Sequence, residues 1–364
     1  MTYHHKIGID AFPLNGNLTG IGRYVLEICQ RFEQYLEGEF FLYTPNSLKI
    51  SFPSKQYHIR IVGDRFANIL SSHVWLKLIV GKAAMRDGIN VFWSPRTLLP
   101  RCHTGIRTVS TIHDFNYTLY PDSMPKITNL AHRAWFYKDI IRSNKIITNS
   151  KATSEKLERL MGIRAAAIAR PGVSTVFTPQ NQEIVHFYKQ KLKIKSPFFL
   201  TVATLEPRKN LKTLLQSFIT MKKNGLLSDH TLLIVGKKGW RNREELNLIN
   251  QAERFDVKWL GFVDDKALSA LYSGTTALVF PSLYEGFGMP VAEARACGAK
   301  ILATDIPEIR EASGNQGIFI SPTIEGLTQG LLEILQSPQL PPTVVANWET
   351  SAQVIASQIK HLSH

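Results

Sequence analysis

The chain has 364 residues, 44% hydrophobic and 20% charged, with 23 Gly and 18 Pro, a composition that excludes a collagen, a coiled coil and a predominantly disordered protein. Its three cysteines, Cys29, Cys102 and Cys297, are too scattered for a disulfide framework or a Cys-based zinc site, which points to a reducing, cytoplasmic compartment. The net charge of +14 is uneven: residues 1–180 hold 23 basic and 12 acidic side chains, residues 181–364 hold 20 and 17, so the first half carries a field suited to nucleic acid, an anionic membrane surface or a phosphorylated substrate.

Length predicts about two domains. The first residues, Met1 to Asp10, lack the basic start and apolar run of a secretory signal. No stretch approaches the ~18 consecutive apolar residues of a spanning helix. Short β-branched runs then recur in chain order: Lys6–Asp10, Phe40–Thr44, Ile59–Val62, Asn90–Ser94, Thr108–His113, Lys145–Asn149 and Ala166–Ala169. Helical patterns intervene, one from Tyr24 to Leu36 and an amphipathic one from Val74 to Arg86. The latter reads as a core-packed helix, with a membrane-surface role as the alternative.

Pro171-Gly172 and Pro179 break the pattern, which puts a joint at Arg170–Asn181. The domains predicted are 1–175 and 182–344. Strands resume at Phe198–Ala203, Thr231–Val235, Val257–Leu260, Ala277–Phe280, Lys300–Ala303 and Gly317–Ile320, with a helix at Asn210–Lys223 that Asn210 would cap. After Pro341-Pro342 a last helix spans roughly Trp348–Leu362, and residues 345–364 are expected to dock back on the first domain. Two successive β-α series with nearly all-apolar strands predict an α/β protein of two doubly wound parallel sheets.

Four loops at strand ends carry the chemistry. In Phe280-Pro-Ser-Leu-Tyr-Glu285-Gly-Phe-Gly288-Met-Pro290-Val-Ala-Glu293-Ala-Arg-Ala-Cys-Gly298, a strand runs through a two-glycine loop into a helix. Pro290 suits its first turn and Gly298 its end. The helix start favours a phosphate, Gly286 and Gly288 admit a ligand close to backbone, and Glu285 and Glu293 suit sugar hydroxyls. A plainer reading leaves Glu293 complementing the helix dipole and the glycines making a turn.

Arg208 and Lys209, at the strand-to-helix turn after Ala203, can neutralise a diphosphate or form a solvated pair. Gly20 and Gly22 open the first domain's first helix as a loop over phosphates, although Gly-x3-Gly-x-Gly is not the dinucleotide fingerprint. His113, oriented by Asp114, would meet a substrate hydroxyl or a developing charge, or serve structurally. Successive strand side chains point oppositely, which argues against a His-Asp relay. No nucleotide-triphosphatase loop, hydrolase elbow, zinc pair or Asp-x-Asp motif is present, so cations and helix starts would neutralise phosphate without a metal.

These motifs resemble the retaining glycosyltransferases of family 4. The match rests on Glu285-x7-Glu293 with its flanks, Thr-Leu-Glu-Pro-Arg-Lys-Asn at 204–210, Val-Gly-Lys-Lys-Gly-Trp at 235–240, Leu-Gly-Phe-Val at 260–263, Thr-Gly-Ile-Gly-Arg-Tyr at 19–24 and Ile-His-Asp-Phe at 112–115. The resemblance implies the GT-B fold, two Rossmann-like domains facing a central cleft. It implies roles as well: Glu293 for the ribose, Glu285 for the donor sugar, Arg208 and Lys209 for the diphosphate. The backbone of Gly286, Phe287, Gly288 and Met289 would position sugar and phosphates, and Gly20 and Gly22 would border the diphosphate. His113 would lie beside the sugar, and Gly236, Phe262 and Val263 near the base.

Two positions depart from the family pattern. Pro307-Glu308-Ile309 lacks a glycine that many relatives carry after Pro-Glu, and Ser321 replaces a common acid. The implied activity is retaining, metal-independent transfer of a sugar from a nucleotide diphosphate, with no cofactor, to a glycan or lipid-diphosphate-linked acceptor in surface-polysaccharide synthesis. Mannose from GDP-mannose is the first expectation. UDP- or dTDP-sugars are the alternative, with an epimerase or a nucleic-acid-binding protein further off. The expected location is cytoplasmic, peripheral at the inner face of the membrane, with no nucleic-acid partner.

Overall fold

The computed structural model describes residues 5–16, 18–63, 72–101, 105–121, 126–239 and 243–362. The chain divides into two compact units. One holds residues up to Tyr117, 126–172 and the C-terminal stretch from Ala346; the other holds Val173–Val345 with a short stretch from Thr118.

The first unit contains β1 (His5–Asp10), β2 (Gly38–Thr44), β3 (Tyr57–Ile61), β4 (Val91–Ser94), β5 (Arg107–Ile112), β6 (Lys145–Thr148) and β7 (Ala167–Ile168). They form one sheet in the order β3-β2-β1-β4-β5-β6-β7, and all its pairings are parallel. The second unit contains β8 (Phe198–Val202), β9 (Thr231–Val235), β10 (Val257–Gly261), β11 (Ala277–Phe280), β12 (Ile301–Thr304) and β13 (Ile318–Ile320). Their order is β10-β9-β8-β11-β12-β13, again all parallel.

Both sheets are doubly wound. Strand order reverses between β1 and β4 in one and between β8 and β11 in the other, and such switch points open a crevice at the carboxyl ends of the strands. The central strands are buried on both faces, β4 and β11 completely, which explains their continuous apolar runs.

The helices include α1 (Gly20–Cys29), α2 (Gln182–Lys191), α3 (Leu211–Lys223), α4 (Asp265–Gly274), α5 (Met289–Ala296) and α6 (Trp348–Lys360). Helix α6 packs within the first unit, burying Trp348, Ala352, Ile355 and Ile359. Its Trp348 ring meets Tyr24 edge-on at 5.8 Å, and Glu349 pairs with Arg31 at 2.9 Å.

Two local expectations need correction. The helix expected over Tyr24–Leu36 is two pieces, α1 and a turn at Phe32–Tyr35. Thr19 starts α1 early by accepting from Gly22 N at 3.3 Å, and the Arg31 guanidinium takes the Glu27 carbonyl at 2.9 Å, withdrawing it from helix continuation. Asn210 does not cap α3 with its side chain. It sits left-handed at φ 55°, accepts from the Thr213 hydroxyl at 2.6 Å and donates to the Pro322 carbonyl at 3.1 Å.

The Val74–Arg86 segment is a core helix with a π-helical middle at Leu76–Val80. Its Lys77 is 4% exposed and ion-paired to Asp139. A buried ammonium requires that partner.

Candidate functional site

The β8/β11 switch point decides which side chains meet. The turn after β8 brings Arg208 and Lys209, and the loop after β11 brings Glu285. Arg208 Nη1 donates to Glu285 Oε2 at 3.1 Å and to the Tyr284 carbonyl at 3.1 Å, while its Nε reaches Glu206 Oε2 at 3.1 Å. Lys209 donates to the other oxygen, Glu285 Oε1, with its ammonium over the Phe280 ring at 5.2 Å. The Leu283 N–H to Arg208 carbonyl bond, 2.8 Å, ties the two loops at backbone level.

Glu285 is 7% exposed. Burial alone would raise its pKa, but the Lys209 and Arg208 charges outweigh that and hold it at about 2. The carboxylate is therefore ionised throughout the physiological range, held between two cations.

The loop then turns directly into a helix. Gly288, at φ 102°, turns the chain into α5 from a conformation that side chains resist, and Pro290 occupies the first helical turn. The Phe287 ring is 3% exposed and belongs to the apolar core with Phe280 and Val291. Its backbone alone is left for a ligand. Met289 also packs against that core.

Glu293 lies inside α5, 7% exposed. It accepts from the Tyr272 hydroxyl on α4 at 3.2 Å. Tyr272 escaped the sequence reading because an aromatic amid Ala267–Leu271 reads only as core.

The loops after β9 and β10 are joined. Gly236 N donates to the Gly261 carbonyl at 2.8 Å, and the Gly236 carbonyl accepts from Trp259 Nε1 at 3.0 Å. Phe262 is 67% exposed, with the Lys237 ammonium over its ring at 4.7 Å. Val263 packs against the core.

In the first unit, Gly20 and Gly22 form the first turn of α1. A Cβ on Gly22 would stand 2.5 Å from the Pro13 carbonyl oxygen, whereas one on Gly20 would meet nothing within 4 Å. His113 follows β5 with its ring edge-on to Tyr24 at 4.9 Å. Its Nε2 lies 2.8 Å from the Pro95 carbonyl. A carbonyl can only accept, so Nε2 carries the proton and Nδ1 is the ring's acceptor. Burial lowers the His113 pKa despite Asp114 and the Pro95 bond, keeping the ring neutral.

Asp114 was expected to orient His113. Its Oδ1 instead accepts the Asn116 N–H at 2.9 Å, and Pro95 sets the ring. Arg96, which the sequence reading passed over, reaches Asp10 Oδ2 at 2.7 Å across the β1/β4 switch point.

Among the described residues, no group of three or more His, Cys, Asp or Glu side chains is placed to hold a metal ion. None of the described helices is long and apolar enough to cross a membrane.

Comparison with known proteins agrees along the chain. Residues 18–177 match Glycosyltransferase Family 4, and residues 184–350 match Glycosyl transferases group 1. The chain is 26% identical to the O-antigen chain mannosyltransferase B of Escherichia coli over 348 residues, 91% of each protein. It is 27% identical to the O-antigen chain mannosyltransferase RfbU of Salmonella typhimurium over 234 residues, 64% of this chain and 62% of that one. Among solved structures, WaaG, a glycosyltransferase involved in lipopolysaccharide biosynthesis, superposes with a TM-score of 0.70 at 17% identity, covering 97% of this chain and 95% of its own. Anabaena Alr3699/HepE in complex with UDP-glucose gives 0.68 at 16%, covering 99% and 97%. With two parallel-sheet Rossmann-like units and glycosyltransferase matches in both halves, the chain belongs to the glycosyltransferases of GT-B fold, with a family 4 first domain and a group 1 second domain.

Proposed function

We propose that this glycosyltransferase moves mannose from GDP-mannose to a hydroxyl of a lipid-diphosphate-linked glycan during surface-polysaccharide synthesis, with retention at the anomeric carbon. The observation that carries the reading is the buried Glu285 clamped by Arg208 and Lys209 at the β8/β11 switch point. A diphosphate entering there would compete for both cations and release Glu285 to hydroxyls of the donor sugar. Glu293, held by Tyr272, would take the ribose hydroxyls. The exposed Phe262 ring and the Gly236 turn would border the base, with Val263 supporting the loop from the core side.

The backbone of Gly286 to Met289 at the start of α5 would position sugar and phosphates, and Gly20 and Gly22 at the start of α1 would border the diphosphate. In the transfer itself, the bond from the anomeric carbon to the diphosphate oxygen breaks with its electron pair on the phosphate. The acceptor oxygen bonds to the same face, and its proton passes to the departing phosphate oxygen. Arg208, Lys209 and the helix starts stabilise the charge that develops there, without a metal. His113 Nδ1 would accept from a sugar hydroxyl.

Mannose rests on the mannosyltransferase relatives. The UDP-glucose complex of a structural neighbour keeps UDP- and dTDP-sugars as the second reading. The working place proposed is the cytoplasmic face of the membrane, where a lipid-linked acceptor is met.

Thermal shift against GDP-, UDP-, dTDP- and ADP-sugars tests the donor. A ligand at about 100 times its Kd adds ~2.7 kcal/mol, so GDP-mannose should raise the melting temperature most. Product NMR then reads the anomer, and an inverted product would overturn the same-face mechanism.

A further inference from the structure

Helix α2 and the segment after it form a surface that the proposed transfer does not use. Residues 181–195 hold Lys189, Lys191, Lys193 and Lys195 against one acid, Glu183, while the rest of 181–364 is balanced at 16 basic and 16 acidic side chains. The entire positive excess of the second half therefore sits in one short stretch. Lys191, Lys193 and Lys195 are exposed. Lys258 adds another cation beside them, its ammonium donating to the Leu192 carbonyl at 2.7 Å.

The same helix exposes apolar surface. Ile184 is 38% and Phe187 56% exposed, and their i, i+3 spacing puts them on one face. Both line a cavity of about 560 Å³, together with Val176, Tyr188, Lys266 and Glu183. The segment leads into the start of β8, and Lys258 lies near the start of β10. The Glu285 cluster lies beyond the opposite, carboxyl ends of the strands.

An aromatic and an aliphatic side chain beside an apolar cavity call for an apolar occupant, and the lysine frame calls for an anionic one. The type of cation separates two candidates. Protein interfaces favour Arg, with its planar fork, and are depleted in Lys. Lysine stems instead lie along apolar surface while their heads reach the headgroup layer of a bilayer. We infer that α2 and residues 192–195 dock on an anionic phospholipid bilayer. Phe187 and Ile184 enter the acyl boundary, and Lys191, Lys193 and Lys195 sit among the phosphates, in the manner of an interfacial amphipathic helix. The inference rests on the reading that the enzyme works at a membrane, and assigns the surface that meets it.

Flotation of the full chain with vesicles tests it, using pure phosphatidylcholine against an equal mixture of phosphatidylcholine and phosphatidylglycerol. The protein should partition onto the mixed vesicles and leave them as salt rises. The triple variant Lys191→Gln/Lys193→Gln/Lys195→Gln should lose about 100-fold in partition, and Phe187→Ser about tenfold. Both alter exposed side chains and should melt like the parent. Lys82→Gln/Arg86→Gln, in the first half, should partition normally. If the parent binds mixed vesicles and the triple variant binds equally well, the assignment to α2 is overturned while the membrane reading stands. If the parent ignores both vesicles, both fall.

Discussion

Arg208 Nη1 and Glu285 Oε2 lie 3.1 Å apart although 77 positions separate them in sequence, with Lys209 holding the carboxylate's other oxygen. Glu285 thus compensates Lys209 and shares Arg208 with Glu206 in a site only partly open to water. Glu285→Gln keeps the shape and removes the charge. Transfer should fall by at least about 100-fold, since placed electrostatic partners contribute on that scale, and stability should fall by about 3 kcal/mol because the buried Lys209 loses its counter-charge. Steady-state transfer and urea unfolding measure the two effects separately. Near-normal turnover would remove Glu285 from the mechanism.

Acid titration should show the same pair. The folded-state pKa of Glu285 is about 2, against 4.5 as the ordinary value. A depressed carboxylate stabilises the fold above the ordinary value and loses that contribution as pH falls towards the folded one, so the loss should lie between about pH 4.5 and 2. At 1.36 kcal/mol per unit the full effect is about 3 kcal/mol. The stability difference between the parent and Glu285→Gln, large at neutral pH, should therefore shrink across that window. A constant difference would contradict the ion pair.

The two α1 glycines should behave differently. Gly22→Ala drives a methyl to 2.5 Å from the Pro13 carbonyl, so the entry to α1 must shift and stability should drop by about 1–3 kcal/mol. Gly20→Ala has open space and should melt normally. If Gly20 borders the diphosphate, its alanine variant should still raise KM for the donor. Melting curves and donor kinetics on the two variants check this.

His113 is kept neutral by burial, with its proton on Nε2. Its pKa lies below the ordinary 6.5, so log kcat/KM should show no limb near pH 6.5 that depends on this residue. His113→Ala should lower kcat/KM roughly 10- to 100-fold at every pH from 6 to 8, as loss of a positioned hydrogen bond does. A limb near 6.5 that vanishes in the variant would make the ring a titrating acid or base instead.

Phe287 and Phe262 separate packing from binding. Phe287→Ala empties a core position and should cost about 3–5 kcal/mol. Phe262→Ala removes a ring that is 67% exposed, so stability should change by less than about 0.5 kcal/mol while KM for the nucleotide sugar rises. Equal stability losses in both would remove the distinction.

Much of the fold was legible from hydrophobic patterning. All thirteen strands among the described residues fall within a residue or two of the runs read from the sequence; the central ones are plainest, because a strand covered on both faces must be apolar along its length. Helix boundaries were less legible. The break after Cys29 and the left-handed Asn210 depend on who accepts each backbone or side-chain hydrogen bond, and spacing along the chain does not record partners.

The same division runs through the site. Residue types, loop positions and the glycine-to-helix turns were determined by the sequence itself, since phosphate and sugar recognition needs free N–H groups, cations and carboxylates at strand ends. Only the tertiary structure decided that Glu285 is buried against Arg208 and Lys209, that Tyr272 holds Glu293, that Pro95 rather than Asp114 orients His113, and that Phe287 faces the core. The physical reason is strand order: a doubly wound sheet seats β8 beside β11 and β1 beside β4, so partners distant along the chain meet at the switch points, and local propensity carries no information about them.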